Sequence, residues 1–260
     1  MRSPQLSEVL YESDNGIAKI TLNRPHKLNS LTGQMLADIQ AALDLIEHDP
    51  IIKVILLTGA GQGFCAGQDL NESRLKDEAL GQILESDYNP LIRRLTTMKQ
   101  VVIAAVNGIA AGAGCSLALA ADLTLAGKTT SFKQAFIHLG LLPDAGSTWF
   151  LPHRIGIQKA MGLAMTGETI TGTEAEHLGL IWKAVDDHLV MQEAEQLAFN
   201  LAKSSLFALI EIKKAIYAAN QNSLAEQLNL ERDAQDRLGK TAEFQMALAT
   251  FQSKQKKSNE

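Results

Sequence analysis

Residues 101–121 read VVIAAVNGIAAGAGCSLALAA, and this stretch decides the fold. The first six residues are apolar and mostly β-branched, which is typical of a buried strand. The glycine-punctuated residues 107–114 predict a loop, and the apolar residues 115–121 predict a short helix. A strand that passes through a loop into a helix is the repeating unit of α/β folds, so the stretch predicts that class.

The same order of elements occurs earlier, where IIKVILLT (51–58) predicts a buried strand and GAGQGFCAGQD (59–69) a glycine loop. Residues 70–98 are predicted to be mostly helical. Small residues at a strand-to-helix turn let backbone N–H groups face a ligand. Two such turns brought together would offer two N–H donors to one oxyanion. For either loop alone, glycines that only permit a tight turn are the commoner explanation.

The N-terminal region adds a strand and a helix to this order. Apolar and polar residues alternate in GIAKITL (16–22), which predicts an early strand. Apolar residues recur at three- and four-residue steps over residues 31–46, so an amphipathic helix is predicted there. Ser30 and Thr32 are both suitable N-caps for this helix.

The C-terminal half is predicted to be largely helical. Short strands are expected at 122–125 and around 131–132, and helical spacing runs from residue 155 nearly to the end. Strands that alternate with helices favour parallel pairing. We therefore expect an α/β core at residues 1–200 that carries the site, and a helical region at 201–260.

Composition and charge exclude several classes of protein. The 260 residues are 46% hydrophobic and 20% charged, which is ordinary for a globular chain and excludes disorder. With 24 basic and 29 acidic residues the net charge is −5, so no nucleic-acid partner is expected. No apolar run approaches the roughly 18–20 residues that a membrane helix needs. The N-terminus lacks a secretory signal, and two cysteines cannot form a disulfide scaffold, so we expect a cytoplasmic protein.

Nucleotide and metal sites are not predicted. Gly59, Gly61 and Gly63 are spaced G-x-G-x-G, which differs from the dinucleotide fingerprint G-x-G-x-x-G. The later loop has Leu117 where the third glycine would stand, and no P-loop motif is present. None of the six histidines is paired with another at i, i+4, and there is no C-x-x-C motif, so no metal is expected.

Asp144 is the carboxylate that the sequence singles out. It lies in HLGLLPDAGSTWFLP (138–152), where most neighbours are apolar. Such surroundings disfavour the charged form and raise the pKa, which suits a group that takes and returns a proton near neutral pH. The alternative is that Asp144 only caps a helix that starts at Ala145. Local sequence leaves both interpretations open.

These loops and Asp144 together resemble the crotonase superfamily, also called the enoyl-CoA hydratase/isomerase superfamily. The similarity extends from about residue 10 to residue 254. The segments that carry it are LNRPHKLNSL (22–31), ILLTGAGQGFCAGQDL (55–70), VIAAVNGIAAGAGCSLALAADL (102–123), LGLLPDAGSTWFLPHRIG (139–156), MTGETITGTEAEHLGLIWKAV (165–185) and LERDAQDRLGKTAEFQMALATF (230–251).

The resemblance implies a crotonase-like spiral of ββα units with a C-terminal helical region that assembles homotrimers or dimers of trimers. It implies an acyl-CoA thioester substrate, so that coenzyme A enters with the substrate and no separate cofactor is needed. The amides of Gln68 and Ala113 would form the oxyanion hole. The other residues that it places along the substrate are Arg24, Lys27, Leu28, Ala66, Asp69, Leu70, Gly112, Ser116, Phe136, Phe251 and Lys254.

The departures from the superfamily pattern decide which reaction is expected. Ser116 and Phe136 stand where hydratases of this superfamily carry their two glutamates, so hydratase activity is not expected. Asp144 stands where some isomerases carry a single proton-shuttling aspartate. The resemblance is closest to the 1,2-epoxyphenylacetyl-CoA isomerases of phenylacetate breakdown, which share FCAGQDLN (64–71), YNPLIRRL (88–95) and GLIWKAVDD (179–187).

The resemblance therefore predicts an acyl-CoA isomerase that converts a ring epoxide to an oxepin or moves a 3,4 double bond to the 2,3 position, as in fatty acid metabolism. Three alternatives stay open. An enoyl-CoA hydratase is one. A hydrolase of the dehalogenase type is another, in which the aspartate is a nucleophile. The third is a non-catalytic member that only binds.

Overall fold

The computed structural model describes the backbone of residues 6–258 and the side chains of residues 6–253. The chain forms two compact units, Met1–Ala202 and Lys203–Glu260. The first unit holds all the strands of the described chain, and the second is helical. None of the described helices combines the length and the apolar composition that crossing a membrane requires.

The strands of the first unit form two sheets. In chain order they are β1 (Val9–Asp14), β2 (Ile17–Leu22), β3 (Val54–Gly59), β4 (Gly63–Cys65), β5 (Val101–Val106), β6 (Ile109–Ala111), β7 (Leu123–Gly127), β8 (Ser131–Lys133), β9 (Thr169–Thr171) and β10 (Lys183–Val185). The larger sheet has the order β1-β2-β3-β5-β7-β10, and the smaller has the order β4-β6-β8-β9. All pairs are parallel except β1 with β2 and β8 with β9. The expected α/β class with mainly parallel pairing is confirmed.

Helices follow the strands of the first unit and make up the second. In chain order they are α1 (Gly33–His48), α2 (Arg74–Asp77), α3 (Leu80–Ile83), α4 (Asn89–Thr97), α5 (Ala113–Leu119), α6 (Ser147–Thr166), α7 (Gly172–His177), α8 (Val190–Ala202), α9 (Leu206–Ala218), α10 (Leu224–Leu238) and α11 (Ala242–Ser258). Short 3₁₀ turns lie at Pro25–Lys27, Ala135–Leu139 and Asp187–Leu189, and a π-helical turn lies at Leu84–Tyr88.

Helix α1 shows how closely the patterning matches the structure. Of the two predicted N-caps, Thr32 is the one used, because its hydroxyl oxygen accepts a hydrogen bond from the N–H of Met35 at 3.0 Å. The predicted helix started two residues too early, since Leu31 instead forms a parallel bridge with Gln68. The apolar stripe of the helix is buried as expected.

Five short or exposed strands were missed or assigned wrongly. Strand β1 is mostly exposed and shows no apolar alternation, although the Asn15-Gly16 turn after it, with both φ angles positive, is a hairpin signal. Strands β4 and β6 lie in stretches predicted to be loops. Strand β9, and β10 with it, interrupts the region predicted to be helical. Three residues are too few to show a period of two, so pairing with neighbours forms these strands.

The segment at residues 70–98 is helical only in pieces. Helices α2 and α3 are four residues each, and the π-helical turn joins α3 to α4. π-helical turns are rare and often lie at functional sites. Its last residue, Tyr88, is 3% exposed and belongs to the core of the unit.

The second unit is helical, as the sequence predicts for residues 201–260. A capping box starts α10, in which Ser223 and Glu226 bond each other's backbone N–H groups. Helices α9 and α10 are joined by an ion pair between Arg237 and Glu211 and by a hydrogen bond from the Gln227 side chain to the carbonyl of Ala215. The role of this region in assembly stays a prediction.

Two helical glycines in the first unit give a test of its packing. A methyl group added to Gly114 in α5 would lie 2.2 Å from the carbonyl oxygen of Cys65, whereas one added to Gly162 in α6 would meet nothing within 4 Å. We expect Gly114→Ala to destabilise the protein by about 2–3 kcal/mol through overpacking. Gly162→Ala, the matched control, should stabilise it by about 0.5–1 kcal/mol. Urea denaturation checks both, and equal effects of the two changes would contradict the packing described.

Candidate active site

The two glycine loops lie side by side, because the strands on either side of them pair in parallel. The two loops are in contact at Gly67, which has a φ of +96°. A methyl group added there would lie 2.8 Å from the carbonyl oxygen of Ala111 and 3.6 Å from the nitrogen of Ala113. Only a residue without a side chain permits this contact, so glycine is required for the loops to meet.

The main-chain N–H of Gln68 is left without a hydrogen-bond acceptor among residues 6–258. The parallel bridge around it uses the neighbouring groups: Leu31 donates to the carbonyl of Gly67 at 2.7 Å, and Asp69 donates to the carbonyl of Leu31 at 2.8 Å. The amide between them is held rigidly and stays available for an exogenous acceptor.

The N–H of Ala113 is available for a similar reason. Ala113 is the first residue of α5, and the first N–H groups of a helix have no partner within it. Gly112 before it has φ 50° and ψ −127°, a conformation that essentially only glycine adopts. The structure thus brings both predicted amides to adjoining loops, an arrangement suited to one oxyanion. Their role stays a prediction.

The side chain of Gln68 is also fixed in place, which the sequence did not reveal. Its amide oxygen accepts a hydrogen bond from the hydroxyl of Tyr88, and its amide nitrogen donates to Glu72 at 2.9 Å. Glu72 in turn accepts from the N–H of Gly33, at the start of α1, at 2.7 Å. Burial raises the pKa of Tyr88 well above its usual range, so the phenol stays a neutral donor.

Tyr88 and Glu72 are the residues of this region that sequence reasoning missed. They carry no motif, and the segment from 70 to 98 was treated only as helical. Their side chains attach the first glycine loop to the segment that contains the π-helical turn. Only their hydrogen bonds to Gln68 in the folded structure identify them.

Asp144 lies at the end of a loop that precedes α6, and its side chain caps no helix. The following residues, Ala145 and Gly146, have φ angles of +48° and +84°, and α6 begins at Ser147 with Gly146 as its N-cap. The alternative that Asp144 caps a helix starting at Ala145 is therefore wrong, because the chain makes a left-handed turn before the helix begins.

The carboxyl group of Asp144 is half-buried, and its Oδ1 is a buried oxygen with no hydrogen-bond partner in the structure. Burial raises the pKa of Asp144 from 3.8 to about 6. This agrees with the sequence-based argument from its apolar neighbours. A carboxylate with this pKa can accept a proton near neutral pH and return it.

Ser116 and Phe136, the two positions without a carboxylate, both lie beside this site. Ser116 on α5 is fully buried, and its hydroxyl is 3.0 Å from the carbonyl oxygen of Asp144 and 2.7 Å from the hydroxyl of Ser147. The ring of Phe136 is 3.9 Å from the position of a methyl group added to Gly112. Neither side chain can supply a proton-accepting carboxylate.

Arg24 and Asp69, both placed along the substrate by the resemblance, pair with each other at 2.9 Å. The guanidinium of Arg24 also bonds Glu8 at 3.2 Å and the carbonyl of Ser30 at 2.7 Å. Its positive charge is thus already matched by two carboxylates. The pKa of Asp69 is lowered, chiefly by the N–H of Asn71 and further by Arg24, against an opposing effect of burial. In the structure this pair braces the first glycine loop.

The other residues assigned to coenzyme A in the first unit are more accessible. Lys27 is exposed in the 3₁₀ turn, and Leu28 after it is 42% exposed. Ala66, half-buried, donates its N–H to the carbonyl of Leu28 at 2.9 Å, and Leu70 is 61% exposed. This hydrogen bond links Leu28 to the first glycine loop, and Leu70 directly follows that loop in the chain. The contact of these residues with a ligand stays a prediction.

The two tail residues belong to the second unit. Phe251 is exposed on α11. Lys254 lies on the same helix, and its side chain is outside the described residues. Their proposed contact with a neighbouring subunit's coenzyme A stays a prediction.

The two cysteines are not activated for chemistry at this site. Cys65 and Cys115 are both buried, and burial raises the pKa of each thiol to about 12, so neither forms a thiolate at neutral pH. Within the described part of the chain, no three His, Cys, Asp or Glu side chains are placed to hold a metal ion.

Comparison with known proteins identifies the family of this arrangement. The enoyl-CoA hydratase/isomerase family model matches residues 12–260. The 1,2-epoxyphenylacetyl-CoA isomerase of Escherichia coli (strain K12) is 44% identical over 250 residues, which is 95% of each chain. A probable enoyl-CoA hydratase of Rhodobacter capsulatus is 41% identical over 246 residues, again 95% of each chain.

Solved structures agree with the sequence comparison. A putative enoyl-CoA hydratase/isomerase from Mycobacterium abscessus superposes with a TM-score of 0.91 at 33% identity, covering 95% of this chain and 96% of its own. An enoyl-CoA hydratase from Geobacillus kaustophilus gives a TM-score of 0.90 at 32% identity, with 96% and 97% covered. The expected crotonase fold is confirmed.

The raised pKa of Asp144 predicts how the stability of the folded protein depends on pH. Between its ordinary value of 3.8 and about 6, the folded protein holds this proton more tightly than the unfolded chain does. Stability therefore falls as the pH rises through that window. Asp144→Asn removes this titration. The free energy of unfolding of the variant minus that of wild type should therefore increase by on the order of 1–2 kcal/mol from pH 4 to pH 7, allowing for partial exposure.

Urea denaturation of both proteins at several pH values measures this difference. The contributions of the other titrating groups are the same in both proteins and cancel. A difference that does not change with pH would contradict the raised pKa.

Proposed function

Because this chain belongs to the enoyl-CoA hydratase/isomerase family, we propose that it isomerises acyl-CoA thioesters, with Asp144 as the single acid–base group and the amides of Gln68 and Ala113 as the oxyanion hole. One observation carries the proposal. The carboxyl group of Asp144 is half-buried and has an unpartnered oxygen, while the two neighbouring positions, Ser116 and Phe136, hold no carboxylate.

The chemistry needs only these groups. The thioester oxygen accepts hydrogen bonds from the two amides, which stabilise the negative charge that develops when a proton leaves the adjoining carbon. Asp144 takes that proton, and an enolate forms on the thioester. Asp144 then returns the same proton at another atom of the acyl group. No atom is gained or lost, so neither water nor a separate cofactor takes part.

A pKa near neutrality suits both halves of this cycle. Burial raises the pKa of Asp144 to about 6, so the carboxylate is a stronger base than an exposed aspartate and its protonated form is still an effective acid. Because Oδ1 has no hydrogen-bond partner among the described residues, a substrate C–H can approach it without breaking a hydrogen bond.

The ring epoxide of 1,2-epoxyphenylacetyl-CoA is the substrate that we favour. The relative from Escherichia coli, 44% identical, is named 1,2-epoxyphenylacetyl-CoA isomerase. We propose that this chain likewise takes the ring epoxide, and that the product is the ring-expanded oxepin on coenzyme A. Migration of a double bond from the 3,4 to the 2,3 position of an enoyl-CoA uses the same base and the same oxyanion hole. We propose it as a second reaction of the same site.

Hydration of an enoyl-CoA is the alternative that the relatives' names favour, since the relative from Rhodobacter capsulatus is called a probable enoyl-CoA hydratase. Water addition calls for a pair of carboxylates to orient and activate the water. Ser116 offers a hydroxyl that is already bonded to the protein, and Phe136 offers a ring. A hydrolase in which Asp144 attacks as a nucleophile is a further alternative, and a member that only binds acyl-CoA is the last.

We also propose that the protein acts in the cytoplasm as a homotrimer or a dimer of trimers. The second unit exposes a row of large apolar side chains on α9 and α10, which support association with another copy. They are Phe207, Ile212, Ile216, Leu224 and Leu228.

The oxyanion hole is tested by removing one N–H. Ala113 is the first residue of α5, a position where proline fits the helix, so Ala113→Pro deletes the donor with little effect on the backbone. We expect turnover to fall by about 10²–10³-fold. Ala113→Gly keeps the N–H and should stay within a few-fold of wild type. A folded Ala113→Pro variant with full turnover would show that the hole lies elsewhere.

The base and the reaction are tested together by a substrate panel. Wild type and Asp144→Asn are assayed with 1,2-epoxyphenylacetyl-CoA, a 3-enoyl-CoA and a 2-enoyl-CoA. We expect isomerisation of the first or the second by wild type and negligible hydration of the third. Asp144→Asn should lose at least about 100-fold in kcat, because general acid–base groups contribute roughly 10²–10⁴-fold.

Asp38→Asn is the control, since Asp38 is a buried carboxylate that accepts hydrogen bonds from the N–H groups of Ser7 and Glu8. Its kcat should not change. Fast hydration of the 2-enoyl-CoA with no isomerisation would replace the proposal by the hydratase alternative.

A further inference from the structure

Ser116 is fully buried on α5, and its hydroxyl has three oxygen neighbours in the protein. These are the carbonyl of Asp144 at 3.0 Å, the hydroxyl of Ser147 at 2.7 Å and the carbonyl of Gly112 at 3.3 Å. A hydroxyl has one proton, and a carbonyl can only accept. Ser116 therefore donates to the nearer carbonyl, that of Asp144, and accepts from Ser147.

The turn that presents Asp144 needs support from outside itself. Ala145 has a φ of +48° and Gly146 one of +84°, and the first of these is disfavoured for a residue with a side chain. The turn has one hydrogen bond of its own, from the N–H of Ser147 to the carbonyl of Asp144 at 3.0 Å. The buried Oδ1 of Asp144 makes no hydrogen bond that would hold the carboxylate.

Ser116 supplies that support from the helix that also carries a donor of the oxyanion hole. Ala113 and Ser116 lie three residues apart on α5, so they share one helical turn. The hydroxyl at one end of this turn holds the carbonyl of Asp144, and the N–H at the other end faces the thioester oxygen in the proposed mechanism. The distance between base and hole then depends on this single turn of helix.

We propose that Ser116 is a positioning residue, whose hydrogen bond to the main-chain carbonyl of Asp144 fixes the carboxylate at the distance from the oxyanion hole that proton transfer requires. The kinetic part of this inference rests on the proposed function. It replaces the role in substrate binding that the resemblance assigned to Ser116, because the hydroxyl is engaged within the protein.

The hydrogen bond from Ser116 to the carbonyl of Asp144 also explains why position 116 holds no carboxylate. A glutamate at position 116 would have to occupy the space between α5 and the Asp144 turn, where the serine hydroxyl now meets main chain. In this inference, the position of a catalytic Asp144 therefore depends on serine at position 116. If Ser116 only filled space in the core, removal of the serine hydroxyl would change neither the pKa of Asp144 nor the turnover that depends on it.

The test uses Ser116→Thr and Ser116→Val, which have the same shape and differ by the hydroxyl alone. We expect the threonine variant to exceed the valine variant in kcat by on the order of 10–100-fold, because displacement of a reacting group by about 1 Å can cost 10²-fold. KM should differ little between them. Ser116→Ala serves as the second comparison with wild type if both β-branched residues prevent folding.

Two further readouts separate positioning from a purely structural role. In an Asp144→Asn background, removal of the Ser116 hydroxyl should cost no further turnover, because the two residues act through one group. The pKa of Asp144, followed by NMR of its carboxyl carbon, should fall in Ser116→Ala from about 6 towards 3.8 as the released turn reaches water.

Thr124→Val is the matched control, since the Thr124 hydroxyl is also buried and donates to a carbonyl of α5, that of Ala118, at 2.9 Å. It should leave both kcat and the pKa of Asp144 unchanged. The inference is overturned if Ser116→Ala keeps full kcat with an unshifted pKa, or if its loss persists in the Asp144→Asn background. If wild type does not isomerise any substrate, the proposed function fails, and the NMR titration still decides whether Ser116 holds Asp144.

Discussion

Contact between main-chain atoms of the two glycine loops is the constraint on which the rest of the site depends. At Gly67 a methyl group would lie 2.8 Å from the carbonyl of Ala111, and at Gly114 one would lie 2.2 Å from the carbonyl of Cys65. Without side chains at these positions, β4 and α5 approach closely enough for two unpaired amides to adjoin. A bulkier residue at either glycine would separate the loops, and neither amide alone would form a two-donor site.

The carboxyl group of Asp144, the proposed base, lies in surroundings that cost stability. Burial raises the pKa of Asp144, and no hydrogen bond compensates its Oδ1. The surrounding turn adds a positive φ at Ala145. Hydrogen bonds to the main chain from Ser116 and Ser147 hold the turn and leave the carboxylate itself free. Such local strain is characteristic of functional sites, where the rest of the fold supplies the support.

The sequence contained most of the larger elements and part of the site. Strands β2, β3, β5 and β7 and helix α1 follow from their apolar periodicity, because each buries a continuous face in the core. The raised pKa of Asp144 follows from its apolar neighbours. Five strands have only three residues each, which is too few to show the period of two: β4, β6, β8, β9 and β10. Of these, only β8 was predicted near its true position. The exposed β1 has no buried face to reveal it.

By itself, the sequence determined the α/β class, the crotonase family and the presence of glycine at the loops, since these depend on residue types at fixed spacing. Tertiary structure alone decided that Ser116 bonds the carbonyl of Asp144, that Tyr88 bonds Gln68, and that Arg24 is paired with Glu8 and Asp69. Each of these contacts joins residues at least 16 positions apart in the chain. Their partners are chosen by how strands and helices pack, and local sequence carries no record of that choice.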